Sequence, residues 1–308
     1  SAIHHAPNAP EHQYNLGKLY ADMGWIYDAE GACREALKID PNYSPAQQQL
    51  GAIYLTQGEY LRAKSTFENL LQKETNNANA QLGLGNAHAA LGEWDLAEAA
   101  YMAAQEVGAA ATIGLGNLQL AQGDTTQAIY YYEHAIDQDP QNPTPHVNLG
   151  IIHATNHQFE QALSAYQNAL NLSPNDPDVL TNLIALYTSA EQYDDALELC
   201  TTVQDILPDA IEPKQLTGAV AYAASKFELA LIAYQSALDL NPKDIETLQG
   251  IASTYEALDD TKTAQEQWQT WLSLVGDNPN YSEEITHVTE HLKTLVTLNV
   301  GTGQGLFP

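Results

Sequence analysis

Two histidines and a glutamate near the C-terminal end come closest to a catalytic pattern. His287, Glu290 and His291 fit H-x-x-E-H, a spacing that places two imidazoles and a carboxylate on one helical turn, as in some zinc proteases. Such a site needs a third protein ligand, and the chain beyond His291 contains no Asp, Glu or His. We therefore interpret these residues as the polar side of an ordinary helix, whose apolar stripe includes Ile285 and Val288.

Two other patterns that could carry chemistry are equally incomplete. His146, His153 and His157 are predicted to share one helix, but His153 occupies a position that holds a tyrosine elsewhere in the chain, which favours core packing. The glycine-rich segment 301–305 follows no predicted strand and opens no helix, so phosphate binding is not supported. No set of acid, base, nucleophile and oxyanion donor is present, so the sequence predicts neither an enzyme nor a cofactor.

The charge is strongly negative: 39 Asp and Glu oppose 11 Lys and Arg, for a formal net charge of -28. No Lys or Arg occurs between Lys73 and Lys214. Such a surface repels phosphate, which argues against nucleic acid. It would attract a basic or cationic partner, and the alternative interpretation is that the acidic face only keeps the protein soluble. No apolar run is long enough to predict a transmembrane helix. The first residue, Ser1, and the scarcity of Lys favour an exported protein, periplasmic or extracellular, with a cytoplasmic one as the alternative.

The chain repeats itself about every 34 residues. A Leu-Gly pair in "YNLGKLY" returns in "QQLGAIY", "GLGNAH" and "VNLGIIH", and each time a second apolar block follows, as in "EQALSAYQNALNLSP". Apolar residues at three- and four-residue spacing predict two amphipathic helices per unit. The predicted repeats are 10–43, 44–77, 78–108, 109–142, 143–176, 177–210, 211–244 and 245–278.

Small residues recur at fixed places in these units. Glycine follows the first-helix leucine at Gly17, Gly51, Gly85, Gly116 and Gly150, and it recurs at the equivalent position, after a threonine, at Gly218. The second helix carries an alanine in all eight units, at Ala29, Ala63, Ala97, Ala128, Ala162, Ala196, Ala230 and Ala264. Large aromatics in most units fill the spaces between helices, and Cys33 and Cys200 replace an aromatic, so both are predicted to be core residues.

In these positions the chain resembles the tetratricopeptide-repeat (TPR) family. The resemblance implies an all-α, right-handed superhelical solenoid of about eight 34-residue helix–turn–helix repeats. Residues 1–9 are a lead segment, 279–299 are predicted as a capping helix, and 300–308 as a glycine-rich tail.

The family resemblance implies a non-catalytic protein-binding scaffold whose partner lies on the surface of the first helices. The candidate groove residues are Lys18, Asn86, Asn117, Ile151, Tyr14, Leu82, Ile113 and Val147. Most neighbouring positions are small and uncharged, which suits a helix or an extended chain better than a charged terminus. One hypothesis is therefore an adaptor that binds a basic or apolar segment of another protein.

The two ends of the array differ, which suggests a second hypothesis. The last repeat has a predicted covering helix, the first has none, and the tail ends in Leu306 and Phe307. These anchors could bind the first repeat or groove of another copy and build a head-to-tail filament. A third possibility is an acidic surface protein carrying metal ions or glycans, since sequons occur at Asn42, Asn171 and Asn280.

Overall fold

The computed structural model describes residues 9–276 and 278–302, with side chains up to Thr294. These residues form seventeen α-helices and no strand. In chain order the helices are α1 (Pro10–Asp22), α2 (Ile26–Ile39), α3 (Ser44–Thr56), α4 (Tyr60–Leu71), α5 (Ala78–Ala90), α6 (Trp94–Ala103), α7 (Ala109–Ala121), α8 (Thr125–Gln138), α9 (Thr144–Thr155), α10 (Phe159–Leu172), α11 (Pro177–Ser189), α12 (Tyr193–Ile206), α13 (Glu212–Ala223), α14 (Phe227–Leu240), α15 (Ile245–Ala257), α16 (Thr261–Val275) and α17 (Ser282–Thr302). The predicted all-α repeat fold is confirmed.

The helices divide into two compact units, one ending at Ile152 and the other starting at His153. Within each unit, neighbouring helices pack as antiparallel pairs, for example α1 with α2 and α13 with α14. The recurring second-helix alanine is completely buried in all eight repeats. A side chain of this size lets two helix backbones approach closely, so the repeated alanine is what permits each crossing.

Glycines on the first helices make room for large rings from the second helices. Phe67 of α4 is nearly fully buried and lies between Gly51 of its own repeat and Gly83 of the next repeat. A Cβ built on Gly51 would lie 2.6 Å from Phe67 Cζ, and one built on Gly83 only 2.3 Å from it. Tyr234 is enclosed in the same way by Gly218 and Gly250. One ring therefore links two consecutive repeats.

Repeat 6 fills this space with a different pair of residues. Cys200 stands at the ring position, Ile184 stands at the glycine position, and both are completely buried. The smaller cysteine is offset by the larger isoleucine, so the volume of the core is kept. Cys33 is also completely buried, and Gly17 lies against its sulfur.

The turn inside each repeat contains one residue in the left-handed region. In the first four repeats it is Gly24, Gly58, Gly92 and Gly123; in the last four it is His157, Glu191, Ser225 and Asp259, with φ between 57° and 61°. The conformation recurs although the residue changes, because the backbone must reverse at the same point in every unit. An L-residue at such a position costs about 1 kcal/mol relative to glycine.

Two irregular places interrupt the regular pattern. Repeat 3 is short because α6 has only 10 residues and is followed by a 3₁₀ turn, Gln105–Val107, and Gly108. Near the C-terminal end, α17 covers the last repeat: Val288 is buried and, with Ile285 and Leu292, packs against Trp268 and Trp271. The backbone of α17 continues to Thr302, past the predicted helix end at residue 299.

Candidate partner-binding grooves

The residue after the recurring glycine is held away from the core on each first helix. Because of helical periodicity, the glycine faces the paired helix and the residue that follows it faces away from that helix. In sequence order these outward positions are Lys18, Ala52, Asn86, Asn117, Ile151, Ala185, Ala219 and Ser253. All are exposed except Ser253, which is half-buried.

The other predicted groove residues are less accessible. Tyr14, Leu82 and Val147 are half-buried, whereas Ile113 is only 8% exposed. Ile113 therefore offers little surface to a partner.

Two of the exposed asparagines are tied to the core by hydrogen bonds. The Tyr101 hydroxyl donates to Asn86 Oδ1 at 2.8 Å, and the Tyr132 hydroxyl donates to Asn117 Oδ1 at 2.6 Å. Asn148 Nδ2 also donates to Asn117 Oδ1, at 3.1 Å. Burial raises the pKa of Tyr101 and of Tyr132 to about 12, so both remain neutral donors. The asparagines are therefore oriented before any partner arrives.

Unit 1 contains a small polar cavity of about 350 Å³, lined by residues of α1, of α3 and of the segment before α5. Its lining includes Tyr14, Gln48 and Ala52, together with Glu74 and Asn77. Glu74 accepts hydrogen bonds from Ser44 and Asn77, and these bonds lower the pKa of its carboxyl. Of the eight predicted groove residues, only Tyr14 is among those that line this cavity.

Unit 2 contains a larger and more apolar cavity of about 590 Å³, formed by the first helices of repeats 6 to 8 and the second helices between them. Val203, Leu207 and Leu216 contribute much of its apolar wall. Two exposed residues of the first helices, Thr181 and Ala219, also line it, and none of the eight predicted groove residues does. We call this cavity the unit 2 groove.

Three carboxylates form one edge of the unit 2 groove. Asp178, Glu212 and Glu246 are exposed, lie in the first turns of α11, α13 and α15, and follow one another at the 34-residue period of the repeats. Their negative charge at helix N-termini is favourable for the helix dipoles, and it leaves the mouth of the groove acidic. A groove with apolar walls and an acidic edge can hold a basic amphipathic segment.

Comparison with protein-family models gives four matches, all to tetratricopeptide repeats. One model described as "Tetratricopeptide repeat" matches residues 54–111 and 153–220; others match residues 32–65 and 13–43, and a "TPR repeat" model matches residues 116–156. Together they span 13–111 and 116–220. The chain belongs to the tetratricopeptide-repeat family.

Solved structures with the same fold include several TPR proteins at low identity. One chain in the crystal structure of the APC/C hetero-tetramer Cut9–Hcn1 is 17% identical to this chain, with a TM-score of 0.58 over 85% of this chain. This chain spans 52% of that protein's length. The C-terminal part of a TPR protein from Cytophaga hutchinsonii is 19% identical with a TM-score of 0.59, over 76% of this chain and 97% of that one.

A third structure, Pseudomonas aeruginosa PilF, is 19% identical with a TM-score of 0.52, over 67% of this chain and 95% of that one. No curated protein matches the sequence. These similarities establish the TPR fold. Because TPR arrays bind proteins, the general function of the chain is that of a protein-interaction scaffold.

The acidic edge of the unit 2 groove was missed by the sequence analysis, although a signal existed. The carboxylates recur with the same period as the glycines, and each falls just after a predicted helix start. The cavity behind these carboxylates could not be predicted from the sequence, because the depth of the cavity depends on packing between three repeats.

The histidines of the H-x-x-E-H pattern lie on α17, as predicted, but their surroundings are more specific. His291 Nε2 lies 2.9 Å from Glu256 Oε1 of α15, and the same oxygen accepts a hydrogen bond from the Trp268 indole. His287 stacks parallel to His291. Across the described ranges, no cluster of three or more His, Cys, Asp or Glu is arranged to hold a metal ion.

One expectation about histidines is wrong. His146 and His153 belong to α9, but this helix ends at Thr155, and His157 lies beyond it with a φ of 57°. His157 therefore does not continue the helical turn of His153. The His153 ring instead makes a 2.7 Å hydrogen bond to Gln158.

The remaining predicted sites lie on the surface or outside the described ranges. Asn42, Asn171 and Asn280 are exposed, and Asn42 accepts a hydrogen bond from Lys73. Leu306 and Phe307 lie outside the described residues. Where the structure is described, no helix has both the length and the hydropathy to cross a membrane.

Proposed function

We propose that this TPR protein is a non-catalytic scaffold that assembles with copies of itself, head to tail, through the exposed face of α1. The observation that carries the proposal is the exposure of Leu19, 54%. The residues equivalent to it in the other seven repeats are at most 5% exposed, because each packs against the preceding repeat. Leu16 on the same helix and Met23, which directly follows it, are also exposed.

The occupant proposed for this face is a second copy of the chain. The described part of α17 presents Glu283, Glu284 and Glu290 to solvent, so this polar side of the helix is a poor match for α1. The tail anchors Leu306 and Phe307 supply the apolar groups that the contact needs. A contact between different surfaces of two copies does not pair off into a closed dimer and can extend into a filament.

The strong net charge sets the conditions for the test. At -28, two copies repel each other at low ionic strength, and salt screens this repulsion. Particle mass is measured by multi-angle light scattering across a range of protein and salt concentrations. The particle mass is expected to increase with protein concentration and with salt concentration, and the particles are expected to be elongated in electron micrographs.

Two variants make the test specific. Leu19→Glu is expected to prevent assembly, because a carboxylate would be buried in the contact. Leu96→Glu is the matched control, since Leu96 is 52% exposed but lies on α6, and it should assemble like the wild type. Removal of residues 300–308 should also prevent assembly. A monomeric wild type, or a Leu19→Glu variant that assembles normally, would refute the proposal.

A second candidate function, an adaptor for a different protein, is favoured by the unit 2 groove. We propose that its partner is a basic amphipathic segment, whose apolar side contacts Leu207 and Leu216 while its cations lie near Asp178, Glu212 and Glu246. Charge complementarity of this kind raises the association rate and makes binding sensitive to salt.

Fluorescence anisotropy with a labelled Lys-rich amphipathic peptide tests this candidate. Binding should weaken with salt and should fall about tenfold in Glu212→Lys, since one attraction becomes a repulsion. Glu198→Lys on α12 is the control, because Glu198 is exposed but does not line the groove. Equal effects of the two substitutions would exclude the groove as the binding site.

A further inference from the structure

A cavity of about 500 Å³ lies beneath the C-terminal helix, separate from the unit 2 groove. It is bounded by α15, by the tryptophans of α16 and by the first three turns of α17. We propose that this cavity binds a small organic cation that carries a hydrogen-bond-accepting oxygen, of the class of a basic amino acid. Its volume is in the range of small-molecule sites and suits a ligand of that size.

The charges around the cavity determine the sign of the ligand. Glu256 comes from α15, Glu283 and Glu284 come from the first turn of α17, and none of the lining residues is Lys or Arg. The side chains of Glu283 and Glu284 make no hydrogen bond or ion pair to any residue that the structure describes. Several carboxylates around one concave surface concentrate a negative potential there, which favours a cation.

An independent observation concerns the two tryptophans. The Trp268 indole N–H donates to Glu256, whereas the Trp271 indole N–H has no acceptor among the described residues. Trp271 is only 2% exposed and lines the same cavity. Buried donors are nearly always paired, so a donor left over at a cavity points to an acceptor atom supplied by a ligand.

Neighbouring groups restrict where the ligand can bind. Glu256 Oε1 is already shared by Trp268 and His291, which fixes this carboxylate between three helices. Tyr281 contacts the Trp271 ring edge to face, with ring centres 6.4 Å apart. The cationic group would therefore lie toward Glu283 and Glu284, with an oxygen of the ligand accepting from Trp271.

Nuclear magnetic resonance of the full-length, ¹⁵N-labelled chain tests the proposal directly. The chain has four tryptophans, so it gives four indole N–H signals, and Trp271→Phe identifies the one from Trp271. Titration with L-arginine is expected to shift this signal saturably while those of Trp25 and Trp94 stay in place. L-citrulline, which has a similar shape but lacks the charge, should bind at least about tenfold more weakly.

Matched variants separate a binding role from a structural one. Glu283→Gln with Glu284→Gln should weaken arginine binding about tenfold, whereas Glu228→Gln on α14, exposed and outside the lining, should not. Circular dichroism checks that each variant is folded. Because the double Gln variant changes only exposed side chains, it remains informative even if Trp271→Phe does not fold.

The outcomes distinguish the source of the cation as well. N-acetyl-L-arginine amide that binds as well as L-arginine identifies an arginine within a peptide, and binding of L-arginine alone identifies the free amino acid. The proposal is overturned if no saturable shift occurs up to about 10 mM, if citrulline binds as well as arginine, or if the double Gln variant binds like the wild type. A Trp271 signal that never moves would also overturn it, since only water would then satisfy this donor.

Discussion

The substitution Gly83→Ala tests whether one ring really joins two repeats. A methyl group on Gly83 would lie 2.3 Å from Phe67 Cζ, and carbon atoms in contact are normally about 3.5 Å apart, so the ring must yield by about 1.2 Å. Phe67 is 2% exposed and is confined on its other side by Gly51. Relieving the overlap therefore requires the two helices themselves to move apart.

The expected magnitude follows from two opposing effects. Overpacking a core lowers the free energy of unfolding by about 1–3 kcal/mol. Because the overlap is large and the ring cannot move away, we expect a cost near the upper end of this range. Replacing a mid-helix glycine by alanine gains about 1 kcal/mol in helix propensity. The free energy of unfolding of Gly83→Ala should therefore fall by about 2 kcal/mol, measured by urea denaturation followed by far-UV circular dichroism.

A second glycine supplies the control. Gly31 lies inside α2, is exposed, and a Cβ added to it would meet no atom within 4 Å, so Gly31→Ala should raise the free energy of unfolding by about 1 kcal/mol. Combining Gly83→Ala with Phe67→Leu should recover part of the loss, because the smaller side chain leaves room for the methyl group. If Gly83→Ala proved as stable as Gly31→Ala, the idea that a ring occupies the space of a missing Cβ would be wrong.

Two further predictions concern the buried tyrosines and the turns. Burial raises the pKa of Tyr101, Tyr132 and Tyr166 to about 12, so the folded protein keeps these protons while an unfolded chain loses them near pH 10. The contribution of these tyrosines to the free energy of unfolding should therefore be constant below pH 10, and the free energy of unfolding should fall between pH 10 and 12, as circular dichroism and tyrosinate absorbance will show. Glu191 has a φ of 59°, so Glu191→Gly should relieve its backbone strain and raise the Tm by about 2 °C, whereas the same change at an exposed helical glutamate, Glu198, should lower it.

The repeat architecture was predictable because its signals are local and recur. The alanine of each second helix and the glycine of each first helix mark close contacts at a fixed spacing, and all eight of these alanines are fully buried. The second set of glycines, Gly83, Gly114 and Gly250, carried the same information and was overlooked, although each faces the ring of the preceding repeat.

The cavities of the two candidate sites could not be predicted from local sequence patterns, because they depend on residues that are distant in the chain. His291 meets Glu256 across 35 positions of the chain, and no local pattern connects them. The unit 2 groove arises where side chains of three repeats fail to fill a space, which helical periodicity does not reveal. Of the candidate groove residues, Lys18, Asn86, Asn117 and Ile151 are exposed, whereas Ile113 is buried, and the sequence pattern gives no information about the depth of a groove.

The shared ring also bears on how such an array can gain or lose units during evolution. Phe67 requires a glycine in whichever unit comes next, and both Gly83 and Gly114 meet that demand, so excision of residues 78–108 would leave a compatible junction. Removing residues 211–244 would instead place Cys200 opposite Gly250 and leave a void, since neither side chain fills the space. Loss of a unit is therefore compatible with the packing at one of these junctions and leaves a packing defect at the other.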